Sequence, residues 1–367
     1  MARSTGSASS IIFIAALAAG LLLTAAGLLG FAGEETSAGP AQPAARHAAR
    51  RPPAGLIDGS MTAVADSVIE QSHPLRAAAL AILAAGRYLF YREALGEAVV
   101  GRDGVLFTLE EFERHPADDR VLVERLEEIV RVRDALGERE IALVVAILPS
   151  KARLLSGDLP ARWARLADHP RYDESLTRLR ERSVHVVDAF ESLETRGGLR
   201  RFFARDTHWT PQGAAAVAGQ IAGSAERAGL LDGIDRIEYQ RVADGEAAVP
   251  GDLMRFLPVG PLRDALGLPE ESAEAYRAEE AAGTPGPGLF DEITIPVALV
   301  GTSFSRDRRW GFEASLKVAL SADVLNVAEV GEGPFEPMRA YLAGETFVGV
   351  PPQIVVWEIP ERYLTLP

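Results

Sequence analysis

The 367-residue chain contains no cysteine. Disulfides, thiolate nucleophiles, thiolate metal sites and a lipidated cysteine anchor are therefore excluded. Asparagine is nearly absent too, Asn326 being the single one. Positive charge is scarce: 38 Lys and Arg stand against 52 Asp and Glu, a net charge of −14. That field would repel a polyanion such as nucleic acid, which is not an expected partner. The glycines of GTPGPG are interrupted by prolines, so they form no phosphate cradle of the usual kind. His47, His73, His115, His169 and His185 show no metal-ligand spacing. No metal and no cofactor are expected, and no internal repeat is visible.

What is present begins with residues 11–32, an apolar run without a single charge. Its length suits a hydrocarbon core of roughly 30 Å, and no A-x-A-like site closes it. An uncleaved anchor is favoured over a signal peptide. Arg3 before the run and Glu34 and Glu35 after it place the remainder on the far side of the membrane. The predicted organisation is an anchor over 1–32, a Pro- and Ala-rich tether over 33–55, and one α/β domain over 56–367. Within that domain, acidic and Ala-rich 261–293 reads as an insertion or lid rather than core.

Periodicity predicts helices near 60–72 and 75–97, a turn at GRDG (101–104) and a helix over 118–137. EIALVVAILP is a continuous apolar run that suits a buried parallel strand. RYDESLTRLRERS reads as helix and VHVVDAF as strand. After the acidic stretch, ITIPVALVG, DVLNVAEVG and QIVVWEIP read as strands separated by the helices DRRWGFEASLKVAL and PFEPMRAYLAG. Such alternation predicts a doubly wound parallel sheet with its site at the carboxyl ends of the strands.

Two short stretches carry chemistry. In RDTHWTPQG (205–213), Thr210 and Pro211 form a helix-start signal, which leaves Asp206 and His208 on the entering segment. If that segment is extended, both side chains point the same way, as the base half of a hydrolytic triad requires. Trp209 either packs beneath the loop or touches a sugar. In GTSFSRD (301–307), Ser303 leaves a buried strand at a turn, with a helix expected to begin near Asp307. A serine so placed gains a backbone N–H that can face an oxyanion. The stretch is not G-x-S-x-G, so the α/β-hydrolase elbow does not apply.

GTSFS resembles the nucleophile block of the SGNH hydrolases, and DTHW resembles their D-x-x-H block with one residue fewer. The usual order of the two blocks is reversed here. In that order the chain is similar to the alginate O-acetyltransferase family of the AlgX/AlgJ type. VVGRDGVLF (99–107), AILPSKARL (146–154), GDLMRFL (251–257) and VVWEIPERYL (355–364) also match what that family carries. The chain stops after its last strand, without room for the carbohydrate-binding module of the AlgX kind, and so looks closer to the AlgJ kind. Read circularly from Ser303, the strands follow the five-strand SGNH order with its ends moved. One departure concerns the oxyanion hole: Glu358 and Arg362 stand where ordinary members carry an Asn. Its donors are then sought in the Ser303 N–H and the loop glycines Gly331 and Gly333, with an arginine as helper.

The resemblance implies a periplasmic, membrane-anchored O-acetyltransferase. Ser303 would be acylated, with His208 as base and Asp206 orienting it. The acceptor would be an exopolysaccharide such as alginate, and acetyl would come through a membrane-bound acyltransferase partner in the inner membrane. Arg200, Arg201, Arg205, Arg255, Arg306, Arg308, Arg309 and Arg362 crowd the motifs and read as a basic rim for an anionic saccharide. Two alternatives share these residues: an esterase with water as acceptor, and a non-catalytic subunit of a polysaccharide modification or export complex.

Overall fold

The computed structural model describes residues 74–194, 200–281 and 295–366. The apolar run 11–32, the tether 33–55, the helix expected at 60–72 and GTPGPG lie outside the described residues. Among the described residues, no helix is long and apolar enough to cross a membrane. Packing divides the chain into two units. Residues 87–257 and 263–367 form the larger one, which holds every element that follows except the helix at 74–91. Residues 258–262 group with residues 74–86.

The larger unit is built on five parallel strands. These are β3 (Ala142–Leu148), β4 (His185–Asp188), β7 (Val297–Val300), β8 (Val324–Asn326) and β9 (Ile354–Pro360). A short antiparallel pair, β1 (Ala98–Val100) and β2 (Leu106–Thr108), precedes them. The spatial order is β4-β3-β9-β7-β8, so the final strand lies in the middle. All of the sheet's pairings are parallel, as the alternation of strands and helices predicts. Every residue of β7 and β9 is buried, which is why, apart from Glu358, their sequences run apolar without alternation.

Helices cover both faces. On one side α4 (Pro211–Arg227) and α5 (Phe312–Leu320) pack Val217, Ile221 and Leu316 against Val144, Ala146, Leu299 and Val356. On the other lie α2 (Asp118–Gly137), α3 (Arg171–Glu181) and α6 (Phe335–Ala343). They cover Val145, Ile147, Val300 and Trp357 with Ile129, Leu179 and Met338. Successive β3 residues thus alternate between two cores. Helix α2 buries Leu122, Leu126, Ile129, Val132 and Leu136, the 3–4 spacing of an amphipathic stripe, and opens on Asp118 and Asp119. Each such fully buried side chain contributes about 1.5–3 kcal/mol. The helix expected at 75–97 ends earlier, as α1 (Pro74–Tyr91).

Part of the stretch 261–293, read as an insertion or lid, forms a strand. Strand β6 (Glu271–Glu280) pairs antiparallel with β5 (Tyr239–Val249) as a two-stranded ribbon. Its base joins the core through buried Val249 and Ala273, so the described part of 261–293 is not wholly apart from the core. Ala and Glu are poor strand formers, and only the cross-strand partner makes YRAEE a strand.

Candidate active site

Strand β7 delivers Gly301 and Thr302 into one helical turn, Ser303–Arg306. The longer helix α5 starts only at Phe312, later than Asp307, because Asp307 caps a separate short turn and Gly311 bends the chain at φ 63°. Strand β4 leads to the base loop. That loop is closed by a Phe202–Trp209 bridge and by Thr210 N donating to Arg201 O at 2.8 Å. The segment is bent rather than extended: Asp206 Oδ1 accepts from both the N–H of His208 (3.0 Å) and its Nδ1 (2.6 Å). A local side-chain-to-backbone bond of this i, i+2 type is what Asp favours in turns. It puts the two side chains together by a different route from strand alternation.

His208 Nε2 lies 2.7 Å from Ser303 Oγ. Serine, imidazole and carboxylate are in line at the carboxyl edge, next to the β7/β9 boundary where the strand order reverses. The imidazole is held between aromatic rings, stacked on Trp310 at 5.2 Å and tilted against Phe304 at 4.8 Å. Burial works against the charge of Asp206. The hydrogen bonds and charge of His208 and the Asp252 N–H outweigh it and hold the carboxyl below its ordinary value.

Three residues not singled out in the sequence hold the base loop. Asp252 N donates to Asp206 Oδ2 at 3.0 Å, while the Asp252 carboxylate accepts from the N–H (2.8 Å) and hydroxyl of Thr207. The preceding Gly251 has φ 83°, and a Cβ there would meet Arg205 O at 2.6 Å. Glu271, at the start of β6, accepts from Ala204 N and Arg205 N at 2.8 and 2.9 Å. Buried Lys151 donates to the carbonyls of Leu106 (2.6 Å), Ala204 (2.9 Å) and Asp206 (2.9 Å). Burial pushes its pKa down, against the pull of Glu111, and the three carbonyls match the three N–H donors of the ammonium form. Asp252 and Lys151 lie within the GDLMRFL and AILPSKARL stretches, which marked the segments but not the roles.

The remaining candidates separate. Trp209 is completely buried against Phe304 and Phe312, so of its two readings it packs and does not reach a sugar. Gly331 (φ 89°) is exposed in the loop after β8, and Gly333 (φ 65°) lies against the Tyr363 ring; no oxyanion contact is assigned to either. Arg362 is largely buried, its guanidinium over the Phe304 and Tyr363 rings and 3.6 Å from Glu110. Arg306 and Arg308 are exposed, and Arg309 pairs with Asp307 at 2.6 Å. Arg205 is buried beside Glu271, so it is not part of an open rim. Asn326 donates to Ser305 O at 2.9 Å and supports the turn from below. Within the turn, the N–H groups of Thr302, Phe304, Ser305, Arg306 and Asp307 all have acceptors. The Ser303 N–H is the donor left over among the described residues. Asp206, His208 and Asp252 place potential metal-ligand atoms within 4.8 Å of one another, but those atoms already bond within the loop.

Sheet order and the serine–imidazole–carboxylate line define an SGNH hydrolase-like α/β domain. Residues 98–361 match the family described as SGNH hydrolase-like domain, acetyltransferase AlgX, and the chain belongs to it. The chain is 35% identical over 314 residues to the probable alginate O-acetylase AlgJ of Pseudomonas putida, covering 85% of this chain and 81% of that one. Against the alginate biosynthesis protein AlgX of the same organism, identity is 29% over 243 residues, with 64% and 50% covered. The resemblance is thus stronger to the AlgJ kind. The solved O-acetyltransferase domain of Pseudomonas putida AlgJ superposes with a TM-score of 0.65 at 37% identity, covering 74% of this chain and 92% of that domain.

Proposed function

We propose that this chain is an O-acetyltransferase that carries acetyl through an ester on Ser303 to hydroxyls of an exopolysaccharide, alginate first among them. The observation that carries the reading is the Ser303–His208–Asp206 line, at 2.7 and 2.6 Å. Ser303 Oγ attacks the acetyl carbonyl carbon while His208 Nε2 takes its proton. The oxyanion that forms faces the Ser303 N–H. On collapse, the donor's leaving oxygen takes the proton from His208. A sugar hydroxyl then attacks acetyl-Ser303, again giving its proton to His208, which returns it to Ser303 Oγ as the product ester departs. Asp206 holds the imidazole in the required tautomer throughout. The acetyl chemistry and the polyuronate acceptor rest on the similarity to the AlgJ proteins.

The same reading places the domain on the periplasmic side of the inner membrane, anchored by residues 11–32 and supplied with acetyl by a membrane-bound acyltransferase. The charge-free run and the flanking Arg3, Glu34 and Glu35 support the anchor. Full-length protein should sediment with membranes and be released by detergent but not by salt. A soluble form starting near residue 33 would replace the anchor with a signal peptide.

Detergent-solubilised full-length protein, given an acetyl ester with and without oligouronates, tests the reaction. Mass spectrometry should find acetyl on the peptide containing Ser303 and then on the saccharide. Acetate as the only product would make the protein an esterase.

A further inference from the structure

Beneath the nucleophile lies a carboxylate that the acyl-transfer steps do not use. Glu358, on central strand β9, is fully buried. Its Oε2 accepts from Thr302 N at 2.8 Å, from Thr302 Oγ at 3.0 Å and from Ser305 Oγ at 3.0 Å. Its Oε1 lies 3.2 Å from the same threonine hydroxyl. The strand before the turn leaves room for it: a Cβ on Gly301 would meet Glu358 Oε2 at 2.5 Å and Ser305 Oγ at 2.8 Å. Glycine, threonine and second serine of the GTSFS block therefore all fit around this one carboxylate. The Ser303 hydroxyl points elsewhere, to His208.

We propose that Glu358 is a positioning residue for the nucleophile, holding the Gly301–Ser305 turn so that Ser303 Oγ meets His208 and the Ser303 N–H stays free. The proposal rests on Ser303 being the nucleophile. Two features make the carboxylate suited to this. It engages the Thr302 N–H and, by orienting the Thr302 hydroxyl, the Phe304 N–H at 3.3 Å, so these two donors are fixed on either side of Ser303. It also comes from the strand directly paired with β7, with Val300 opposite Trp357, so the anchor moves with the sheet and not with a loop. Glu358 and Arg362 stand where ordinary SGNH hydrolases carry an oxyanion-hole Asn, and the burial and bonds of Glu358 put it under the turn.

The test uses the full-length protein in detergent, a small acetyl ester, and separate measurement of kcat and KM. Loss of the anchor should misplace Ser303 without disturbing ester binding. Glu358→Ala should therefore lower kcat about a hundredfold, the scale of an ångström-sized misplacement, with KM within about twofold. Glu358→Gln should stay within about fivefold of wild type, because its amide oxygen can occupy the Oε2 position and its NH2 can face the Thr302 hydroxyl. Ser305→Ala, which removes one donor from a small side chain, should lower kcat several-fold. The double variant Ser305→Ala/Glu358→Ala should be no slower than Glu358→Ala, since both act through one contact. Full kcat in Glu358→Ala, Gln as impaired as Ala, or multiplying losses in the double variant would each overturn the proposal. If Glu358→Ala does not fold, Ser305→Ala and Glu358→Gln decide it alone, and an unchanged kcat in Ser305→Ala overturns it. Turnover retained by Ser303→Ala would instead remove the nucleophile reading itself.

Discussion

The nucleophile turn after β7 and the base loop after β4 meet across the 2.7 Å between Ser303 and His208. The turn is gripped from within the sheet, by the Glu358 carboxylate on the adjacent strand β9 and by the Asn326 amide on β8. The base loop is gripped by Lys151 after β3, by Asp252 and by Glu271 at the start of β6. One side of the site thus inherits its rigidity from the sheet. The other assembles it from segments far apart in the chain, so a change in any of them reaches His208. The difference teaches where the site is vulnerable: on the base side, stability and catalysis share the same bonds.

The comparison can be broken most sharply at the meeting point. Ser303→Ala and His208→Ala should each reduce turnover by about four orders of magnitude or more, with Asp206→Ala costing less. Unfolding midpoints for Ser303→Ala should stay near wild type, because its hydroxyl bonds only to His208 among the described residues. Next comes Lys151→Met, which takes the donor from the carbonyls of Leu106 and Asp206 and leaves Ala204 O with the Leu106 N–H. At about 1–3 kcal/mol for each orphaned acceptor, denaturant titration should show a loss of roughly 2 kcal/mol or more. No substitution in the nucleophile turn should match it.

Asp252→Ala sharpens the contrast from the catalytic side. With Thr207 released, kcat should fall about tenfold to a hundredfold while KM changes little. An unaltered kcat would mean that Lys151 and Glu271 suffice. A smaller effect concerns buried Glu111, which accepts from Ala152 N beside Lys151. Burial pushes its carboxyl up to about 7 from 4.5, against the pull of that N–H and of Arg362 and Lys151. Between those values the folded chain keeps a proton that the unfolded chain has released, so this group's stabilisation falls as pH rises. Denaturant midpoints across pH 4.5–7 should therefore slope less in Glu111→Gln. The smallest effect is expected at the exposed arginines that end the turn and follow it. Reversing exposed Arg306 and Arg308 to Glu should weaken oligouronate binding several-fold at low salt and less at high salt, as exposed contacts of about 0.2–1 kcal/mol would.

Much of the sheet could be read from local pattern. LVVAIL and VALV are apolar throughout, and IVVWEI is apolar except for Glu358, because both faces are covered, and α2 carries its stripe in plain spacing. Ser303, His208 and Asp206 were legible because each sits where a strand pattern ends. The β5/β6 ribbon was not, since its pairing spans residues 239–280 and its composition favours no strand. Trp209 illustrates a subtler limit. Its place next to His208 suits either a sugar platform or a core residue, and only the Phe304 and Phe312 rings beside it decide for the core.

The sequence by itself determined the alternating elements, the absence of thiol chemistry, the reversed motif order and the identity of the serine, imidazole and carboxylate. These depend on residue type and short-range spacing. Tertiary structure alone decided how they are held. Lys151 beneath Asp206, Asp252 beside it and Glu358 under Ser303 are charged residues in buried or half-buried places, and a string of letters places charge on the surface by default. Only folding shows that each finds a full set of hydrogen-bond partners, the condition under which burying a charge becomes tolerable.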